Sequence, residues 1–164
     1  MQQPKFLPSG QAGTFIVREQ VTESEIMEMA LHLSNQRISA RQKVDSPQLI
    51  VNHLRCLYRE SQKETLGAIF LDQRLSIIVT KEYFCEDPEF GIKPRELTRD
   101  ALMLNAYGMI VFNNQLIDEN AIPASRIKRT LNLAKACSIV GMTLVDHLFI
   151  TPTSHKSFAD LGYL

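Results

Sequence analysis

The sequence predicts an α/β domain, a single mixed sheet with helices on its faces. Beyond residue 64, stretches rich in β-branched and aromatic residues alternate with stretches of helical apolar spacing, the pattern of strands interleaved with helices. Three of the helical stretches open on a proline, at Ser46-Pro47, Pro94 and Pro123, and proline suits a first helical position because the N–H it lacks has no partner there. The 164 residues, 45% of them hydrophobic, suit one core without disulfide or metal support.

Residues 1–21 carry Pro4, Pro8, Gly10 and Gly13 without periodicity and read as a flexible N-terminal arm. Two helices are predicted over 22–60. The first starts at Thr22 with Glu25 three residues on, a capping box, and shows Ile26, Ala30 and Leu33 on one face. Polar residues 35–45 read as its connection to the second, whose face is Ile50, Leu54 and Leu57. Residues 61–164 form the main domain. Its first piece is a hairpin, 66–71 and 75–84, turning at Asp72-Gln73-Arg74. After an acidic loop at 85–93, the helix from Pro94 presents Leu97, Ala101 and Leu104. GMIVF at 108–112 is a short continuous apolar run, as in central strands. A polar loop, 113–122, leads to a helix with Ile127, Leu131 and Ala134, then a strand over 142–150 and a tail with Phe158 and Leu161.

Lys plus Arg number 18 and Asp plus Glu 18, a formal net charge of zero, which gives no support to nucleic-acid binding by phosphate neutralisation. The three cysteines, Cys56, Cys85 and Cys137, form no CxxC pair, so they read as apolar fillers in a reducing compartment. No stretch has the ~18 apolar residues that a membrane helix needs, and the N-terminus lacks a secretory pattern. A cytoplasmic location and no membrane partner are therefore expected.

In sheets of this class chemistry sits in loops at strand ends, here the loop after Phe112. It holds no Ser or Cys beside a His and no glycine for a phosphate. His32 and His53 fall on predicted helices outside any ligand spacing. Asp146-His147 fall on a predicted strand, where neighbours point to opposite faces and cannot readily share one metal.

Four pieces give the loop a meaning: ETLGAIFLD at 64–72, KPRELTRDALMLNA at 93–106, VDHLFI at 145–150 and SFADLGYL at 157–164. In this order and spacing they resemble the RadC-like JAB/MPN (JAMM) family, short single-domain members in particular. The resemblance implies a three-layer, cytidine-deaminase-like architecture and a zinc metallopeptidase fold, in a family historically named for DNA repair. It further implies a zinc held by a His-x-His motif and a later aspartate, with an upstream glutamate as general base. Placed on this chain without gaps from Asn105-Ala106, the histidine positions hold Asn113 and Gln115 and the aspartate position holds Arg126. A serine position that assists the oxyanion holds Pro123, while the glutamate remains as Glu64.

Amides offer zinc only a weak carbonyl oxygen, and a guanidinium puts permanent positive charge where a dication would sit. Without the metal no water is brought to a pKa near ~7 for Glu64 to use. No zinc or other cofactor is therefore expected, and the resemblance becomes that of a pseudoenzyme binding an unidentified protein partner. Arg126 is expected to pair with Glu64 in place of the metal. Two alternatives stay open: a metal-dependent hydrolase rebuilt around Glu64, Asp118, Glu119, His147 or His155, with Mg or Mn favoured by carboxylates, and a DNA-repair-associated accessory protein.

Overall fold

The computed structural model describes residues 5–39, 44, 46–83, 93–116, 121–151 and 153–164. The segment read as an arm carries a hairpin, β1 (Phe6–Pro8) against β2 (Phe15–Val17), with Phe6 opposite Val17. Gly10 and Gly13, which break the apolar pattern, adopt positive φ of 86° and 76° in its loop, a conformation that costs glycine nothing. Lys5 ties the hairpin to the next helix through an ion pair with Glu25 at 2.7 Å.

That helix, α1 (Glu23–Ser39), begins with the predicted box: the Glu25 carboxylate accepts the Thr22 N–H at 2.8 Å and the Thr22 hydroxyl accepts the Glu25 N–H at 3.3 Å. It continues through Asn35, where polar composition suggests a loop. Helix α2 (Pro47–Tyr58) buries Ile50, Val51, His53, Leu54 and Tyr58. Leu57, expected inward, is exposed, because the face is centred between residues 50 and 54. His53, on the helix as expected, is buried, with Nδ1 3.0 Å from the Ser34 hydroxyl on α1, and burial lowers its pKa.

Strands β3 (Thr65–Leu71) and β4 (Ile77–Tyr83) form the predicted hairpin. The Asp72 carboxylate accepts the N–H groups of Arg74 and Ser76, both at 2.8 Å, and fixes the turn. Helix α3 (Pro94–Met103), strand β5 (Gly108–Asn114), helix α4 (Ala124–Ile139), strand β6 (Thr143–Ile150) and strand β7 (His155–Ser157) follow among the described residues. The five-stranded sheet runs β4-β3-β5-β6-β7, and only β5 and β6 are parallel. A parallel pair needs a crossover, and α4 supplies it. β7, too short and polar to be predicted, closes one edge.

Each face of the sheet has its own core. Leu97 and Ala101 of α3 and Leu133 and Cys137 of α4 pack on Ala68, Phe70, Met109 and Val111. On the other face Ile50, Val51 and Leu54 of α2 pack on Ile69, Ile110, Phe112 and Leu148. The layers are thus helix, sheet, helix, and α2, which the sequence pattern groups with α1, contributes one of the two cores. Phe112 fits because its cross-strand partner is Gly67: a Cβ there would lie 2.1 Å from the phenyl ring.

The buried stripe of α4 is Thr130, Leu133 and Cys137, rotated from the expected Ile127, Leu131 and Ala134. Leu133→Ala should therefore lose about 2–5 kcal/mol of stability and Leu131→Ala, half-buried, distinctly less. Denaturant unfolding of both variants checks the register, and a larger loss for Leu131→Ala would reverse it.

Candidate functional site

The loop that follows Phe112 in sequence is in part strand. β5 continues to Asn114, where Asn113 pairs with Leu66 of β3 and Phe149 of β6, and Gln115 extends the ladder by donating its N–H to the Ile150 carbonyl at 2.8 Å. Alternation sends Asn113 and Gln115 to one face and Asn114 to the other. Asn114 donates its amide N–H to the Lys63 carbonyl at 3.1 Å and lines a cavity of about 770 Å3 between α1, α2 and the sheet. Gln115 is buried.

The side-chain amide oxygen of Asn113, Oδ1, accepts a hydrogen bond from Nε2 of His147, 2.8 Å away. An amide oxygen only accepts, so Nε2 carries the proton. Nδ1 is left to accept from the Thr130 hydroxyl at 2.7 Å, a hydroxyl that also lies 3.0 Å from the Arg126 carbonyl. The imidazole sits against Phe149 and Phe158, at 4.4 and 5.1 Å between ring centres. Burial, and then the charge of Arg126, push its pKa down to about 3, which keeps the ring neutral at ordinary pH.

Asp146, its neighbour, turns to other partners. Its carboxylate accepts the hydroxyl of Ser157 at 2.7 Å and the N–H groups of His147 and Ala159 at 2.7 and 3.1 Å. It anchors β7 and the tail, while His147 holds the end of β5 to α4. Neither forms an acid–base dyad with the other.

The first turn of α4 supplies the remaining positions. Pro123 has no hydroxyl or N–H to offer; its carbonyl accepts from the N–H groups of Arg126 and Ile127 at 2.9 and 3.1 Å and starts the helix. The guanidinium of Arg126 lies 5.9 Å over the Phe149 ring, a cation–π placement, on the sheet face that carries Asn113. Glu64 stands one residue before β3 and is exposed. The expected Glu64–Arg126 pair is not formed: among the described residues Glu64 makes no ion pair. The Glu64 carboxylate is open to solvent, while the Arg126 guanidinium lies over the Phe149 ring.

The structure thus brings Asn113, His147 and Arg126 together and leaves Glu64 at the margin. Asp118 and Glu119 lie outside the described residues. Among the described residues no three His, Cys, Asp or Glu side chains group as a ligand set, so Glu64, His147 and His155 do not converge. The donor chemistry at the metal positions does not fit zinc. One amide oxygen is already accepting a hydrogen bond, the other position is also an amide, and the third is a cation beside the positive end of a helix dipole. Sequence reasoning missed the contact between Asn113 and His147, which are 34 residues apart. A bulge between Met109 and Ile110 in the pairing of β5 with β6 sets it, and local sequence patterns carry no mark of such a shift.

Comparisons with known proteins agree with this architecture. A family profile described as a RadC-like JAB domain matches residues 44–163, from just before α2 to the C-terminal tail. A UPF0758 protein of Thiobacillus denitrificans is 29% identical over 140 residues, 85% of this chain and 62% of that protein. UPF0758 proteins of Paraburkholderia xenovorans and Paraburkholderia phytofirmans are each 33% identical over 144 residues, 84% of this chain and 55% and 54% of theirs. The chain therefore spans little more than half the length of the relatives it matches. No helix among the described residues is long and apolar enough to cross a membrane.

Proposed function

The chain belongs to the RadC-like JAB domain family, and from that footing we propose that it is a member without catalytic zinc, a pseudoenzyme whose work is to bind another protein. The observation that carries the reading is the use made of the metal positions. The Asn113 oxygen is engaged by His147, and the Arg126 charge is close enough to depress the His147 pKa. A zinc ion there would have to displace the hydrogen bond, leaving the buried His147 N–H without a partner, and would sit close to the guanidinium. Both effects oppose binding, and a lost buried partner alone costs about 1–3 kcal/mol.

A fold kept without its ligand set still offers surfaces, and recognition of a macromolecule is the use that needs no metal. The formal net charge of zero favours a protein over a nucleic acid as the partner. Elemental analysis of the purified chain after dialysis tests the proposal. Zinc, magnesium and manganese well below one ion per chain are the expected result. One tightly held ion per chain would mean a rebuilt hydrolase site and would overturn it.

A further inference from the structure

The helical layer of α3 and α4 leaves an apolar trough on its outer side, lined by Arg95, Arg99, Leu102, Met103, Ala136 and Ile139 among others, with a volume of about 550 Å3. Met103 is 83% and Ile139 85% exposed, and Leu102 and Val140 beside them are also open to solvent. These side chains come from two helices yet converge on one strip. Contiguous apolar surface of this kind on a small domain marks a contact site more often than chance.

The charged side chains that line it, Arg95 and Arg99, are both cationic, and the acids of α3, Glu96 and Asp100, are ion-paired with Lys93 and with Lys81 and Arg99. Helix α4 holds Arg126, Lys128, Arg129 and Lys135 and no acid, in a chain whose formal charges balance. Lys128 and Lys135 fall on the stripe of α4 that ends at Ile139, at spacings of seven and four residues, so the stripe runs roughly three turns. Arg95, Arg99 and Leu102 form the matching stripe on α3. Arg95, Lys128 and Lys135 make no ion pair among the described residues, while Arg99 is bonded to Asp100 at 3.0 Å.

We propose that the α3–α4 trough receives an acidic, amphipathic helical segment of a partner protein. Its apolar residues would seat on Leu102, Met103 and Ile139 and its carboxylates would face Arg95, Lys128 and Lys135. An apolar floor bounded by cations matches the helix-in-groove mode, with acidic charge on the incoming helix. A membrane surface fits less well, since the apolar strip is a trough between two helices rather than a convex ridge. A duplex nucleic acid would leave that floor uncovered.

This inference deepens the protein-binding reading and rests on it, but metal content and trough occupancy are measured separately, so either can fail alone. The probe is a fluorescein-labelled synthetic peptide with leucine at helical positions i, i+3, i+4 and i+7 and glutamate on the remaining face. Anisotropy titration of the full chain is expected to give saturable binding that weakens with added salt. Met103→Asp with Ile139→Asp should weaken it about tenfold or more, and Lys128→Glu with Lys135→Glu should do likewise through repulsion. All four side chains are exposed, so thermal unfolding should stay near that of the unaltered chain and confirm folded variants. Absence of binding by the unaltered chain overturns the proposal. So does binding indifferent to the Met103 and Ile139 changes, or a preference for anionic vesicles or duplex DNA over the peptide.

Discussion

Acidification from pH 7 to 4 should cost this chain on the order of 3 kcal/mol of stability through His147 alone, since one proton taken up on unfolding is worth about 1.4 kcal/mol for each step of one in pH. The sign follows from the direction of its pKa. In the unfolded chain the imidazole takes up a proton near its ordinary value of 6.5, whereas in the folded chain burial and the Arg126 charge hold the pKa at about 3. Between those values the unfolded state binds the extra proton, so stability is fully present above about 6.5 and declines as the pH falls toward 3. His53, whose pKa is also lowered by burial, adds in the same direction. Urea unfolding across pH 4 to 7 reads the slope. His147→Gln, which cannot titrate, should be less stable at neutral pH but show a slope shallower by about one proton. Arg126→Gln should flatten the slope more modestly, because it removes the second cause and leaves the first. An unchanged slope in His147→Gln would mean that the imidazole is not the buried neutral group described.

This acid sensitivity and the poor fit for a metal ion share one origin. The His147 ring is neutral because it is dry and stands near a cation, and the same surroundings are hostile to a dication. In this chain the ring is a tie between β5 and α4, joining Asn113 to Thr130.

Much of the architecture is legible in the chain. Alternating strand and helix patterns give the layer order, Pro47, Pro94 and Pro123 mark where three helices begin, and Thr22 with Glu25 names a cap that forms as written. The N-terminal hairpin is not legible, because three-residue exposed strands carry no alternation and its glycines read as breaks. β7, sequence HKS, has no apolar signature; its place comes from pairing with β6 and from Ser157 meeting Asp146. The face of α4 is misread from sequence because Ile127, Leu131 and Ala134 are as apolar as the true stripe. Thr130 is a polar residue drawn inward by His147. For the site, the register of the family motif places Asn113, Gln115 and Arg126. The partners of Asn113 and Arg126, His147 and Phe149 respectively, lie on a parallel neighbour strand whose alignment depends on a bulge.

The proposed loss of zinc binding should also be reversible. Asn113→His, Gln115→His and Arg126→Asp together restore two imidazoles and a carboxylate on elements whose positions are already set by β5 and α4. A full protein ligand set gains zinc roughly 10–16 kcal/mol in structural sites, and even a partial share of that, about 8 kcal/mol, corresponds to a dissociation constant near 1 μM. The pair of histidine changes without the third should bind far more weakly, since Arg126 then remains beside the ion. Calorimetric titration of zinc into the unaltered chain and the triple variant, side by side at neutral pH, is the most direct test. No binding by the unaltered chain and micromolar or tighter binding by the variant is the result expected; zinc bound as tightly by the unaltered chain would contradict it.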